Sequence, residues 1–193
     1  MVPEMSGVLL YVIGPSGSGK DSLMLHARHA LEQDSSVVFA HRYITRPHDA
    51  GGENHVALSE AEFDSRMARK LFPLHWHSHG MRYGIGCEIN QWLAKGLVVI
   101  VNGSRAYLQQ ASKNYPELIP LLIEVSADVL RGRLQSRGRE TVSEIEARLM
   151  RAEEFTALQH PRLLRFHNDA PLDETGPAFV ELIRSKTRVM QCS

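Results

Sequence analysis

The segment VIGPSGSGKDSLM, residues 12–24, constrains the fold of this chain more than any other. It closes the apolar run VLLYVI (8–13) and opens a stretch where Leu23, Ala27, Ala30 and Leu31 recur at helical spacing. A buried strand, a glycine-rich turn and a helix, in that order, form the context in which G-x-x-x-x-G-K holds phosphate. Glycines let consecutive backbone N–H groups turn toward an anion, and the helix start adds partial positive charge. Gly14, Pro15, Ser16, Gly17, Ser18 and Gly19 are therefore the expected cradle. Lys20 is the expected point charge for the outer phosphates.

The pattern departs at the next position. Asp21 stands where a Ser or Thr hydroxyl normally meets magnesium. A carboxylate is a good magnesium ligand, but without metal it repels phosphate. It could also serve only the helix N-terminus, where negative charge is favoured. Ser22 lies about 100° further round the helix and is no simple replacement, although it stays at the edge of the expected nucleotide site. A second departure is Asn102, which ends the apolar strand LVVIV (97–101) where such proteins often carry Asp. Acid gained at 21 and missing at 102 leads to the expectation that Asp21 supplies the metal-site carboxylate.

Apolar runs alternate with helix-like segments along the whole chain. Strands are expected at 36–41, 118–125 and 163–166, beside 8–13 and 97–101. Helices are expected at 21–32, 58–70, 87–96, 104–114, 126–138, 143–155 and 178–188. Ser59 and Glu62 make a capping box for the second of these. The alternation predicts an α/β fold with a mostly parallel sheet covered by helices on both faces. The 193 residues suit one domain. Its core is expected at about 7–34 and 96–188, an acceptor-binding region at about 35–90, and a lid at about 131–150.

Composition narrows the partners. Equal numbers of basic and acidic residues, 22 each, argue against a general nucleic-acid binder. No run approaches the roughly 18 apolar residues of a membrane span. The start MVPEMSG lacks a basic segment followed by an apolar one, and Cys87 and Cys192 lie far apart. Free thiols in the cytoplasm are expected.

Arginines carry the next signal. Arg137 and Arg139 flank Gly138 between two helices, and Arg148 lies on the second. A hinged pair of this kind can close on a transferring phosphoryl group and neutralise its charge. Arg131, Arg133 and Arg151 read instead as a solvated face balanced by neighbouring glutamates. Arg42 and Arg46 follow the second strand, where ligands bind open parallel sheets. With Tyr83 they are expected to hold an anionic acceptor, Asn102 and Arg105 being weaker candidates. His75, His77 and His79 would point to one side of a strand, which raises a zinc reading beside that of a polar pocket wall.

These residues resemble the guanylate kinase superfamily in GPSGSGK (14–20), YITRP (43–47), RYG (82–84), RGRE (137–140), EARLMRAEE (146–154) and HND (167–169). The resemblance implies a phosphate-loop kinase fold, phosphate contacts from Arg137 and Arg148, and Asn168 beside the adenine of ATP. It is closer still to one bacterial branch, the ribose 1,5-bisphosphate phosphokinases of phosphonate degradation. That branch is similar in GPSGSGKDS (14–22), AHRYITR (40–46), ENHVALSE (53–60) and VNGSRA (101–106), and it shares the Asp after the Lys. The resemblance implies ATP and magnesium as cofactors, and phosphorylation of ribose 1,5-bisphosphate to 5-phosphoribosyl 1-diphosphate. Residues 71–86 contain no Asp or Glu to read a guanine edge, although Glu53 lies nearby in sequence. A nucleoside monophosphate kinase and a non-catalytic binding module of the same fold remain the alternatives.

Overall fold

A computed structural model describes residues 7–47, 55–138 and 140–189. In chain order the strands are β1 (Val8–Ile13), β2 (Val37–Phe39), β3 (Arg42–Ile44), β4 (Val56–Ala57), β5 (Leu74–Ser78), β6 (Met81–Ile85), β7 (Val98–Asn102), β8 (Ile119–Glu124) and β9 (Leu164–His167). The helices are α1 (Lys20–Ala30), α2 (Glu60–Ala68), α3 (Glu88–Ala94), α4 (Leu108–Asn114), α5 (Ala127–Arg137), α6 (Val142–Thr156) and α7 (Leu172–Val189).

Among the described residues, β2, β7, β1, β8 and β9 lie side by side in one parallel sheet. The alternation of β1 sorts its side chains to the two faces. Leu9, Tyr11 and Ile13 join Ile89 and Leu93 of α3 and Leu108 of α4 on one side. Leu10 and Val12 join Leu23 and Ala27 of α1 and Phe179 and Ile183 of α7 on the other. Both faces are thus buried, which is why the central strands are almost wholly apolar.

The sequence predicted one sheet, and the structure adds a second. Its order is β4-β3-β6-β5, with β3–β6 and β5–β6 antiparallel. Helix α2 closes it through Phe63, which packs on Phe72 and Leu58. Ser59 caps α2 by accepting the Glu62 N–H at 3.1 Å. Helices α5 and α6 form a third unit around Leu130, Leu134, Ile145 and Leu149. A capping box between Thr141 and Glu144 starts α6 and was not read from the sequence.

Two boundaries are corrected. Residues 105–107 form a 3-10 turn ahead of α4. Helix α7 begins at Leu172 rather than 178, running through Gly176 and Pro177. A Cβ at 176 would lie 2.7 Å from the His26 ring, so a larger residue there would displace that side chain.

Candidate active site

A cavity of about 800 Å³ opens at the carboxyl ends of β1 and β7. Residues 14–22 form one wall. The loop closes on itself as the Ser18 N–H donates to the Pro15 carbonyl, 3.1 Å away. Gly17 (φ 94°) and Gly19 (φ 81°) hold the left-handed backbone that turns it. Each also lacks room for a side chain. A Cβ at Gly17 would meet Leu130 of α5 at 2.7 Å, and one at Gly19 would meet the Asn168 amide at 2.5 Å.

Lys20, Asp21 and Asn102 form a connected group at the cavity floor. Lys20 Nζ donates to Asp21 Oδ1 (2.8 Å) and to Asn102 Oδ1 (2.5 Å). Asn102 Nδ2 donates to Asp21 Oδ1 at 3.2 Å. Burial pushes the Asp21 carboxyl up. The Lys20 charge and hydrogen bond, with help from Arg42 and Asn102, more than offset this and hold it below the usual carboxylate range. The carboxylate keeps 59% of its side-chain surface open. It offers hard oxygen to magnesium, an ion that usually takes one or two carboxylates and completes its shell with water and substrate phosphates. The residues present fit that demand.

The opposite wall comes from the second sheet. Tyr83 of β6 is buried with its ring stacked on Trp76 of β5, centroids 5.5 Å apart and planes 2° from parallel. The Arg42 guanidinium lies 5.0 Å from the centre of the Tyr83 ring, a cation–π contact that fixes it at the cavity. The β7–α4 connection supplies Arg105, which pairs with Glu154 of α6 and stacks over Phe155 at 4.8 Å. Tyr11 sets that connection: its hydroxyl donates to the Ser104 carbonyl (3.2 Å) and accepts the Ser104 N–H (2.9 Å). Burial raises the Tyr11 hydroxyl's pKa well above the ordinary phenol value, so it stays a neutral anchor.

Helices α5 and α6 complete the enclosure. Arg137 and Arg148 both face the cavity. Arg148 donates to the Ser16 hydroxyl (2.8 Å) and pairs with Glu140 (2.8 Å), tying α6 to the glycine loop. Arg139 lies outside the described residues. Lys20, Arg42, Arg105, Arg137, Arg148 and Arg151 face only Asp21 and Glu154 among the described lining residues, so the cavity is strongly cationic in a chain with no net charge.

Three of the expected residues are placed elsewhere than on the cavity wall. Arg46 reaches His55 Nδ1 at 3.2 Å, while its carbonyl accepts from the other ring nitrogen at 3.2 Å. Asn102 lies beneath Lys20, within reach of its ammonium. Asn168 is buried behind the loop with its amide on the Ser18 carbonyl at 2.7 Å. Of the histidines, His75 and His77 lie on β5, but His79 leaves it for the turn with φ 50°. The described residues contain no group of three His, Cys, Asp or Glu placed to hold a metal.

Trp76 and Tyr11 were missed in the sequence, and Arg151, read there as part of a solvated face, lines the cavity. Arg151 follows Arg148 by three residues on the same helix face, a spacing that could have found it. Arg133, read as solvated, instead reaches under the loop.

A parallel sheet whose glycine-lysine loop faces a small second sheet and an arginine-bearing helix pair across one cationic cavity defines a phosphate-loop kinase. The fold is that of guanylate kinase from Anaplasma phagocytophilum, with a TM-score of 0.64 at 16% identity over 94% of this chain and 86% of that one. A gluconokinase from Sinorhizobium meliloti is similar at a TM-score of 0.51 and 19% identity, over 97% of each chain. No protein-family model matches the chain. Curated relatives resolve the family. Ribose 1,5-bisphosphate phosphokinases PhnN from Desulfomicrobium baculatum and Thiobacillus denitrificans are each 58% identical to it. The alignments cover 93% of this chain and 95% of the first relative, and 92% and 93% for the second. The protein of the same name from Psychromonas ingrahamii is 47% identical over 93% of this chain and 91% of its own. The chain belongs to the ribose 1,5-bisphosphate phosphokinase family.

Proposed function

We propose that the protein transfers the γ-phosphoryl group of ATP to the 1-phosphate of ribose 1,5-bisphosphate, giving 5-phosphoribosyl 1-diphosphate and ADP. The observation that carries this reading is the cavity's charge, six cationic side chains against two carboxylates, with a phosphate loop on one wall. Two highly anionic substrates brought together require that excess. The family resemblance adds the place of the reaction, in phosphonate degradation.

The nucleotide phosphates occupy the loop of residues 14–19, with Lys20 on the outer ones and Ser22 at the rim. The Asp21 carboxylate would hold magnesium beside the nucleotide, where the ion would supply charge neutralisation for the phosphates. Arg42, set on Tyr83, binds the acceptor from the second sheet, with Arg105 beside it. An oxygen of the 1-phosphate forms the new bond to phosphorus as the bond to the β–γ bridging oxygen breaks. That acceptor is already ionised at neutral pH, so no general base is required. Arg137 and Arg148 stabilise charge on the phosphoryl group in flight, and closure of α5–α6 excludes water, the competing acceptor.

An acceptor panel tests the proposal. ADP release is measured with ATP–magnesium and either ribose 1,5-bisphosphate or GMP, using wild type and Lys20→Ala. Turnover of the sugar by wild type and its loss in the folded variant are expected. Preference for GMP would replace the reading with a nucleoside monophosphate kinase. Absence of ATP–magnesium binding by calorimetry would replace it with a non-catalytic module.

A further inference from the structure

The cavity wall formed by the second sheet is built of rings whose faces are already covered. In that sheet β6 lies between β3 and the edge strand β5. Trp76 of β5 stands directly opposite Tyr83 of β6, so both side chains rise from the same face. Their rings are stacked, with centroids 5.5 Å apart and planes 2° from parallel. Arg42 reaches the Tyr83 ring from the β3 side, 5.0 Å from its centre. Tyr107, in the turn ahead of α4, touches both His75 and Trp76, with ring centroids 6.1 and 5.8 Å away. Successive strand residues point to opposite faces, so a ring that meets both lies beyond the β5 edge. Arg42, Tyr83, Trp76 and Tyr107 thus form one continuous stack.

The stack decides what this wall can bind. Tyr83 is 9% exposed, with a guanidinium on one side and an indole on the other. A nucleobase gains affinity by stacking on an open ring face, about ten-fold or more per base, and Tyr83 offers it none. Ring edges remain, and an edge carries the positive end of the aromatic quadrupole, which suits oxygen. The other polar side chains that this sheet brings to the cavity are Arg42, Ser78 and His79, with no carboxylate to accept from the N–H edge of guanine. A sugar phosphate, all hydroxyl and phosphate oxygen at its surface, matches that wall.

We propose that Trp76 is a specificity-determining residue, which covers the Tyr83 ring and so excludes acceptors that carry a base. Its indole, like a purine, is a fused six- and five-membered ring system. It fills the place beside Tyr83 that a stacked purine would take. This role presupposes that the acceptor lies against the second sheet, as in the proposed function.

Calorimetry on the full chain, with the nucleotide site filled by magnesium and a non-hydrolysable ATP analogue, reads acceptor binding alone. The probes are ribose 1,5-bisphosphate, ribose 5-phosphate and GMP, the last two being a ribose phosphate without and with a base. In wild type GMP is expected to bind no tighter than ribose 5-phosphate. In Trp76→Ala the affinity for GMP is expected to rise about ten-fold relative to that for ribose 5-phosphate. Trp76→Phe keeps a ring against Tyr83 and is expected to hold the wild-type ratio. A purely structural role for Trp76 would shift both probes alike, and an unmoved ratio in Trp76→Ala would overturn the proposal. Wild type that binds ribose 1,5-bisphosphate yet prefers GMP to ribose 5-phosphate by about ten-fold would overturn it too. That comparison needs no variant, so it reads the proposal even where Trp76→Ala fails to fold. Wild type that binds GMP but not ribose 1,5-bisphosphate would instead remove the sugar acceptor of the proposed function, and the role of Trp76 with it.

Discussion

Replacing Asp21 by Asn should change nucleotide affinity in opposite directions with and without magnesium. In the structure Asp21 engages Lys20 in a 2.8 Å ion pair, an interaction that a phosphate bound on the proposed site would have to share. Two unit charges at that distance attract by about 1.5 kcal/mol in water and by about 6 kcal/mol at an effective dielectric constant of about 20. Lys20 is 14% and Asp21 59% exposed, so the carboxylate is largely hydrated and the lower figure governs. Ion pairs of that exposure are worth about 0–1 kcal/mol. Relieving Lys20 of this partner, and removing a negative charge beside the phosphates, should tighten metal-free ATP binding by about 1 kcal/mol, or about five-fold. With magnesium the sign reverses. On the proposed metal role of Asp21 the variant lacks the carboxylate that would hold the ion, and the concentration of magnesium giving half-maximal turnover should rise about ten-fold or more. Isothermal titration with ATP in chelator, set beside steady-state rates across a magnesium series, reads both arms. A shift of the same sign in both, or an unchanged magnesium requirement, would refute the reasoning and leave Asp21 as a helix-terminus charge only.

Gly19→Ala combines a left-handed backbone, φ 81°, with a Cβ 2.5 Å from the Asn168 amide. Strain of about 1–2 kcal/mol and a displaced hydrogen bond of about 1 kcal/mol should lower stability by about 2–3 kcal/mol in urea unfolding, and an unchanged midpoint would contradict it. Arg42→Ala should raise KM for the sugar phosphate about ten-fold with KM for ATP unchanged, and an equal rise in both would remove Arg42 from the acceptor side. Burial first, then Arg28 at 2.9 Å, lowers the His41 pKa, with Glu88 opposing. A lowered histidine pKa means that the unfolded chain binds the proton better. The stability His41 contributes is therefore full above the unfolded-chain value of about pH 6.5 and is lost as the pH falls from there through the lower folded pKa. His41→Gln should flatten the decline in stability between about pH 7 and pH 5, measured by chemical denaturation, and an unaltered slope would count against it.

The parts of the fold that were legible in the sequence are those where burial is two-sided. The runs that became β1, β7 and β8 are apolar because helices cover both faces, and the glycine loop marks the turn from β1 into α1. The second sheet was not legible. Its strands hold at most five residues and mix Arg42, His75, His77 and Arg82 with Ile44, Leu74 and Ile85. Each reads as a polar segment until β3 meets β6 across a long intervening stretch, and no local spacing announces that pairing. The start of α7 was hidden for another reason. Gly176 and Pro177 read as breakers, yet packing of Phe179, Val180 and Ile183 against the sheet carries the helix through them.

At the site, residue identity was legible and residue role depended on placement. Lys20 and Asp21 are neighbours in sequence, so their proximity needed no fold. Asn102 enters the same group only because β7 lies beside β1 in parallel register, with Val12 opposite Asn102. That register explains both departures from the usual phosphate-loop pattern at once. An Asp at 102 would place a second carboxylate against Asp21, within about the 3.2 Å now spanned by an amide hydrogen bond, and like charges that close disfavour joint ionisation. The neutral Asn instead accepts from Lys20 and donates to Asp21. It keeps a single carboxylate charged at the cavity floor. The acid at 21 and the amide at 102 are therefore one arrangement, and Asn102→Asp should raise the pKa of one carboxyl of the pair. The magnesium dependence of turnover should be flat across neutral pH in wild type, where Asp21 is held ionised, and should become pH-dependent in that variant. A profile as flat as wild type's would separate the two departures again.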